Sequence, residues 1–264
     1  DLWIDEISTF WISNPNIEFA ISYKNNSSLE VQPFFYNFLM KMYFNFLGYN
    51  VDYGRYVSAI FSTLSILSVS YISWTISKNK SYLLTAFLVS FNIFLISYAQ
   101  ELRVYSILFF FISLTIIFIL QSLKKESFFN IFFLNFTFIF SIFLHPFSLI
   151  LLFSIILYLS LIFFVKRIIY KKIIYSIISI SVIATIYNLV HLINLVPDSS
   201  EAYFFLDNPN LKFITNMYFS KFFGSRILGL CFLFLFLFAL KFSIQKILAL
   251  REISFLFIFF LLSY

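Results

Sequence analysis

One cysteine, four glycines and two histidines are spread over 264 residues, and these scarcities set the first limits. Cys231 has no second cysteine to form an internal disulfide, and it lies in the apolar run Leu230-Cys231-Phe232-Leu233, where a small buried or lipid-facing residue is expected. With so few glycines there is no Gly-rich phosphate loop, and the nucleotide-binding motifs are absent. His145 and His191 stand far apart without a cysteine cluster, so they make no closed metal site, although carboxylates such as Asp5 and Glu6 could hold a hard cation loosely. No cofactor is expected.

Charge is scarce too. Only 11% of residues are charged, against 61% hydrophobic and a mean hydropathy of +0.94. No soluble domain of this length has enough interior to hide that much apolar surface, so the bilayer must act as solvent. The net charge of +6 would suit nucleic acid, but its distribution follows membrane topology instead, and no nucleic-acid partner is expected. The 42 Phe and 17 Tyr look like codon bias in an AT-rich genome and carry no functional weight. The sequence begins without Met, shows no signal peptide and stops inside an apolar run, so it reads as a fragment cut at both ends.

Residues 1–53 are the one long stretch without a continuous apolar span. Asp5 is placed to cap a short helix from Glu6 to Ser13, which Asn14-Pro15 would stop. Lys24 to Ser28 reads as a turn-rich loop. Pro33 opens an apolar piece, Phe34 to Tyr43, ending near Gly48; it is too short to span and suits an interfacial helix. Residues 54–264 read as serial spans at 54–77, 81–97, 104–121, 128–144, 147–164, 173–195, 226–245 and 253 to the end. The expected fold is therefore an all-α, polytopic transmembrane helical bundle with interfacial helices in the first outer loop. Barrel strands would need an alternation that these runs lack.

One set of loops carries 11 of the 18 basic residues (Lys78, Lys80, Lys124, Lys125, Lys166, Arg167, Lys171, Lys172, Lys241, Lys246 and Arg251), with only Glu126 and Glu252 as acids. By the positive-inside rule this set is cytoplasmic. The first loop, Glu101-Arg103, His145 and the loop 196–225 then face outward together. No loop on the cytoplasmic side is long enough for a nucleotide site, so any energy source would arrive on a lipid or from a gradient.

Four groups could carry chemistry. Asp5 and Glu6 are adjacent, about 100° apart on a helix, so one of them, Asp5, would be reactive while Glu6 orients it or binds substrate. The bland reading is a cap and a first-turn acid. Ser97 to Ser106 joins two spans at the outer face; Arg103 could bind a phosphate there, or merely snorkel beside a solvated Glu101. His145-Pro146 lies between spans on the same face, and such a histidine is more often a helix-end residue than a ligand. The loop from Pro197 to Arg226 is either a connector or a cover over a site.

Taken together, these residues resemble the polyprenyl-phosphate-sugar glycosyltransferases of the GT-C fold, nearest the bacterial branch similar to the dolichyl-phosphate-mannose protein mannosyltransferases (glycosyltransferase family 39). Asp5-Glu6 resembles the family's Asp-Glu in its first outer loop. Gln32-Pro33-Phe34-Phe35-Tyr36, with Gly48 and Arg55 downstream, resembles its His-Pro-Pro-Leu-Tyr stretch, although Gln32 replaces the usual His and Phe34 the second Pro. Ser97 to Tyr105 is similar to its Tyr-Ser-Gln-Glu-x-Arg-x-Tyr stretch. The resemblance covers about residues 1–165, and the family's first span and C-terminal portion lie outside it.

The resemblance implies that a sugar arrives on polyprenyl phosphate at the outer face of the plasma membrane. Asp5 deprotonates an acceptor hydroxyl on a glycan, lipid or protein, configuration inverts, and polyprenyl phosphate leaves with Arg103 stabilising its charge. Gln32, Arg55, Gln100, Glu101, Tyr105 and His145 would join Arg103 in substrate binding, around one outward cavity shared by Asp5, Glu101 and Arg103. The rivals are a transporter or lipid flippase, which would need mid-membrane ionisable groups and broken helices, and a glycan ligase, which would concentrate its chemistry in a large late outer loop.

Overall fold

The computed structural model describes residues 3–30, 32–77, 80–166 and 169–194, with six scattered positions between 227 and 234. The expected spans 226–245 and 253 to the end, and the loop 196–225, lie outside them or nearly so. Among the described residues every regular element is a helix: α1 (Ile4–Ile12), α2 (Phe19–Leu29), α3 (Phe35–Leu47), α4 (Val51–Ser77), α5 (Ser81–Ser90), α6 (Ile93–Ala99), α7 (Tyr105–Lys124), α8 (Phe128–Leu144), α9 (Ser148–Lys166) and α10 (Lys171–Asn194).

Three of these, α4, α7 and α10, are long and apolar enough to cross a membrane; α5 and α6, bent by 60° at their break, count as a fourth where the pair is one broken span, and α8 and α9, expected as spans, are shorter apolar helices. The expected single span at 81–97 is thus two helices. The break falls at Asn92, whose side chain accepts a hydrogen bond from the Leu95 amide at 3.1 Å and so caps α6 instead of letting α5 continue. α4 packs against α5 and α7, α7 against α8, and α8 against α10. Small hydroxyls and an amide sit at these seams: Ser68 meets Ser113, Thr115 donates to Thr137 at 3.0 Å, and Asn135 donates to Ser176 at 3.0 Å. Such groups let apolar helices approach closely where lipid removes the usual hydrophobic drive.

The helices before α4 depart from the sequence expectation in two places. Lys24 to Ser28 is helical rather than a loop, because the buried Asn26 accepts from Asn37 at 2.7 Å and donates to the Gln32 backbone carbonyl at 3.0 Å. Tertiary hydrogen bonds here override weak helix propensity. In α1 the cap is Trp3, not Asp5: the Glu6 carboxylate reaches back to the Trp3 amide at 3.4 Å. α3 ends at Gly48, whose φ of 102° only glycine adopts freely, and this turn sends the chain into α4.

α2, and α1 apart from its fully buried Ile12 and its exposed Asp5, are inverted relative to a helix in water. Glu6, Thr9 and Ser13 face inward from α1 and its end, and Ser22, Asn26 and Ser27 from α2. Trp3, Ile4, Ile7, Trp11, Phe19 and Ile21 face outward. Water selects the opposite arrangement, whereas the headgroup boundary of a bilayer selects this one.

The bundle has two chemically distinct ends. Lys172 and the Ile173 amide donate to Glu126 at 3.2 and 3.3 Å, and Lys124 reaches the Thr75 carbonyl at 3.4 Å, all at one end. At the other end, α1 and the turn between α6 and α7 meet the start of α4, over a core of Tyr36, Met40, Phe44, Leu102, Val104 and Leu144.

Candidate functional site

The site is built on Glu6, which is 1% exposed yet ionisable. Arg55, one turn into α4, grips it in a fork, Nε to Oε1 at 3.0 Å and Nη2 to Oε2 at 2.8 Å. The Leu102 amide donates to Oε1 at 2.7 Å. Burial works against the charge, but the Arg55 hydrogen bonds and the Leu102 and Trp3 amides outweigh it and hold this carboxyl below the usual range. Glu6 therefore ties three segments together: α1, α4 and the turn at 100–104. α4 can come this close to the turn because Gly54 faces it; a Cβ there would stand 2.3 Å from Leu102 Cδ1 and 3.1 Å from Phe44 Cζ.

Its neighbour is held quite differently. The Asp5 carboxylate is 73% exposed, and its nearest cationic atom is Arg103 Nη2 at 3.6 Å. Arg103 secures the backbone beneath it: Nη1 donates to the Asp5 carbonyl at 3.0 Å, to Thr9 Oγ1 at 3.1 Å and to Glu30 Oε1 at 3.0 Å. Arg103 is itself buried, with its Nε lacking a hydrogen-bond partner among the described residues. Burial pushes the Glu30 carboxyl upward, opposed by the Arg103 charge and by the Ser8 hydroxyl that donates to it.

A cavity of about 600 Å³ opens beside this cluster, lined by Trp3, Glu6, Asp52, Arg55, Gln100 and Glu101 among others. Glu101 is half-buried on its wall, and burial, then the Glu6 charge, raises its carboxyl above the usual range. Asp5 and Arg103 are in contact with each other but do not line this cavity, so the expected arrangement of Asp5, Glu101 and Arg103 around one opening is only half present. The guanidinium on the cavity wall is that of Arg55.

The remaining candidates sit around this centre. The Tyr105 ring is tilted against those of Tyr98 at 4.6 Å and His145 at 5.9 Å, with the Arg103 guanidinium 5.9 Å from its centre. His145 closes the turn between α8 and α9: its Nδ1 accepts from the Phe147 amide at 3.1 Å. Burial and the nearby Arg103 charge push the imidazole down to about 4, so it is neutral at physiological pH. Gln32 is buried at the junction of α2 and α3; its carbonyl accepts from Asn26 at 3.0 Å, and both polar atoms of its side chain are buried without a hydrogen-bond partner among the described residues.

The structure thus gathers Asp5, Glu6, Arg55, Gln100, Glu101 and Arg103, places Tyr105 and His145 one layer back, and leaves Gln32 buried at the junction of α2 and α3. Sequence reasoning missed Glu30, the counterion of Arg103, and Asp52 and Tyr56, which share the Arg55 face of α4. The spacing of Asp52, Arg55, Tyr56 and Ala59 in steps of three and four was a readable signal. Nothing local marked Glu30, which is 73 residues from its partner. Among the described residues no three His, Cys, Asp or Glu side chains converge as metal ligands. No family model matches the chain, and no curated protein or solved structure does.

Proposed function

We propose that the chain is a membrane glycosyltransferase of GT-C type, moving a sugar from a polyprenyl-phosphate-linked donor to an acceptor hydroxyl at the outer face of the plasma membrane. The observation that carries this reading is the division of labour between two adjacent acids. Glu6 has its oxygens taken by a forked arginine and two amides, whereas Asp5 is held rigidly by its backbone with its carboxylate open to an incoming hydroxyl. That is what a positioned general base requires.

In the proposed step the acceptor hydroxyl gives its proton to Asp5 as its oxygen bonds to the anomeric carbon. The bond from that carbon to the phosphate oxygen breaks, and its electron pair leaves with polyprenyl phosphate. Attack from the face opposite the leaving group inverts the configuration. Arg55 supplies positive charge on the cavity wall, and Arg103, one layer behind, positions Asp5 and α1. Support also comes from the inverted α1 and α2, which suit the depth at which a lipid-borne phosphate lies.

A transporter or flippase is the second reading, favoured by the 60° break between α5 and α6. It ranks below the first because neither helix carries an Asp, Glu, Lys, Arg or His. The test is direct: the purified chain in liposomes is given a radiolabelled polyprenyl-phosphate hexose and a soluble glycan acceptor. Formation of labelled glycan with stoichiometric polyprenyl phosphate is expected; movement of intact donor between leaflets without cleavage would overturn the transferase reading.

A further inference from the structure

The end of the bundle away from Asp5 is built from three turns, and side chains tie them together. Lys124, the last residue of α7, reaches the Thr75 carbonyl in the last turn of α4 at 3.4 Å, and the Ser77 and Ser81 hydroxyls meet across the turn that carries Lys80. Lys172, in the first turn of α10, donates to the Glu126 backbone carbonyl at 3.2 Å. Lys80, Lys124, Lys125, Lys171 and Lys172 are thereby gathered at one end, and all of them are exposed. Glu126 is the one acid at this end among the described residues. Its carboxylate is turned to the Ile173 amide at 3.3 Å, at the positive start of α10, and not to a lysine. None of these lysines joins an ion pair among the described residues, and the ammonium groups of Lys80, Lys125 and Lys171 have no hydrogen-bond acceptor there.

We infer that this end is a docking surface for the headgroups of anionic phospholipids. α8, which begins just after Lys125, has 17 residues and rises ~25 Å, against ~30 Å of hydrocarbon. A helix shorter than the core thins the bilayer around it and draws headgroups in toward its ends. Phe128 and Phe129, 84% and 61% exposed, open α8, and Ile169, 52% exposed, lies just before α10. Hydrocarbon therefore reaches to within a turn of the lysines, whose stems lie along it while their charges meet the lipid phosphate. A zwitterionic lipid carries its own ammonium beside that phosphate and gains little from another cation. Phosphatidylglycerol, a phosphate diester without that ammonium, leaves its negative charge to the lysines. Charge complementarity thus selects the anionic lipid. This surface lies at the opposite end from the candidate site and does not rest on the transferase reading.

The test uses Trp74, 42% exposed in the last turn of α4 and next to Thr75, as a local reporter. The other two tryptophans, Trp3 and Trp11, belong to α1 and its cap at the far end and are replaced by Phe in every protein tested. The full chain is placed in nanodiscs of phosphatidylcholine and phosphatidylglycerol, one or the other lipid brominated on its acyl chains, and quenching of Trp74 gives their relative affinity at this end. Phosphatidylglycerol is expected to be preferred at least ~5-fold, which is ~1 kcal/mol or one lysine at an anionic surface. The preference should vanish in Lys125→Gln/Lys171→Gln, and, with no substitution in the patch, in about 0.5 M KCl. It should persist in Lys125→Arg/Lys171→Arg and in Lys24→Gln, which removes an exposed lysine from α2 at the other end. No preference in the Trp74 parent, a preference that survives the Gln pair or the salt, or one lost in the Arg pair or in Lys24→Gln, overturns the surface. Inorganic phosphate at matched ionic strength should not compete; competition would identify a site for free phosphate and overturn the lipid assignment.

Discussion

Glu6→Gln separates structure from chemistry at this site. The substitution keeps the side chain's shape but turns one of two acceptor oxygens into a donor. In the parent, one oxygen takes the Leu102 amide and Arg55 Nε, and the other takes Arg55 Nη2 and the Trp3 amide. A carboxamide can keep one of these sets; the other then faces a donor against donors. Breaking a buried ion pair from one side costs ~3–5 kcal/mol. Arg55 is 29% exposed and is partly rehydrated, which places the expected loss near the lower end, ~3 kcal/mol. For a chain of this size that corresponds to a fall in Tm of roughly 6–12 °C. The assay is thermal unfolding in detergent at neutral pH, followed by the loss of helical circular dichroism. A shift below about 1 °C would refute the claim that Glu6 is the clamp between α1, α4 and the turn at 100–104.

Other consequences follow from the same contacts. Gly54→Ala drives a methyl into fully buried Leu102 and should cost ~1–3 kcal/mol in Tm measurements, and its loss combined with Leu102→Ala should be smaller than the sum of the two single losses. Because Glu6 is depressed in the folded state, its contribution is complete above the ordinary carboxylate range and is lost as pH falls through its folded value; the acid limb of a Tm-against-pH curve should therefore flatten in Glu6→Gln. Arg103→Ala leaves Glu30 buried without its cation and should cost ~3–5 kcal/mol, whereas Arg103→Met combined with Glu30→Leu should recover more than half of that in the same melts.

Much of the fold could be read from hydropathy alone. α4, α7 and α10 begin and end within a few residues of the apolar runs that announced them, because in lipid the run length and the helix length are set by the same thickness; α8 also keeps its expected bounds, at a length short of a crossing. The sorting of Lys124 and Lys172 to one end and Asp5, Glu101 and His145 to the other was equally legible. What failed was decided by single side chains. Asn92 breaks α5 from α6 through one local hydrogen bond, and Asn26 keeps α2 helical through a partner eleven residues away. At the site, the adjacency of Asp5 and Glu6 led to the expectation that the two acids take different roles, and the structure puts Glu6 in the buried, saturated position. Arg103 was read as a phosphate ligand at the surface; it is instead buried against Glu30, a pairing across 73 residues that no spacing rule encodes.

The account stands most directly on the transfer rate of Asp5→Asn, measured beside its Tm in liposomes with polyprenyl-phosphate hexose and acceptor. Because the Asp5 carboxylate is 73% exposed and its backbone carbonyl, not its side chain, holds the 3.0 Å bond to Arg103, the variant should melt within about 2 °C of the parent. Its transfer rate should fall by ~10²–10⁴-fold. Parent-like transfer in a folded Asp5→Asn protein would contradict the account.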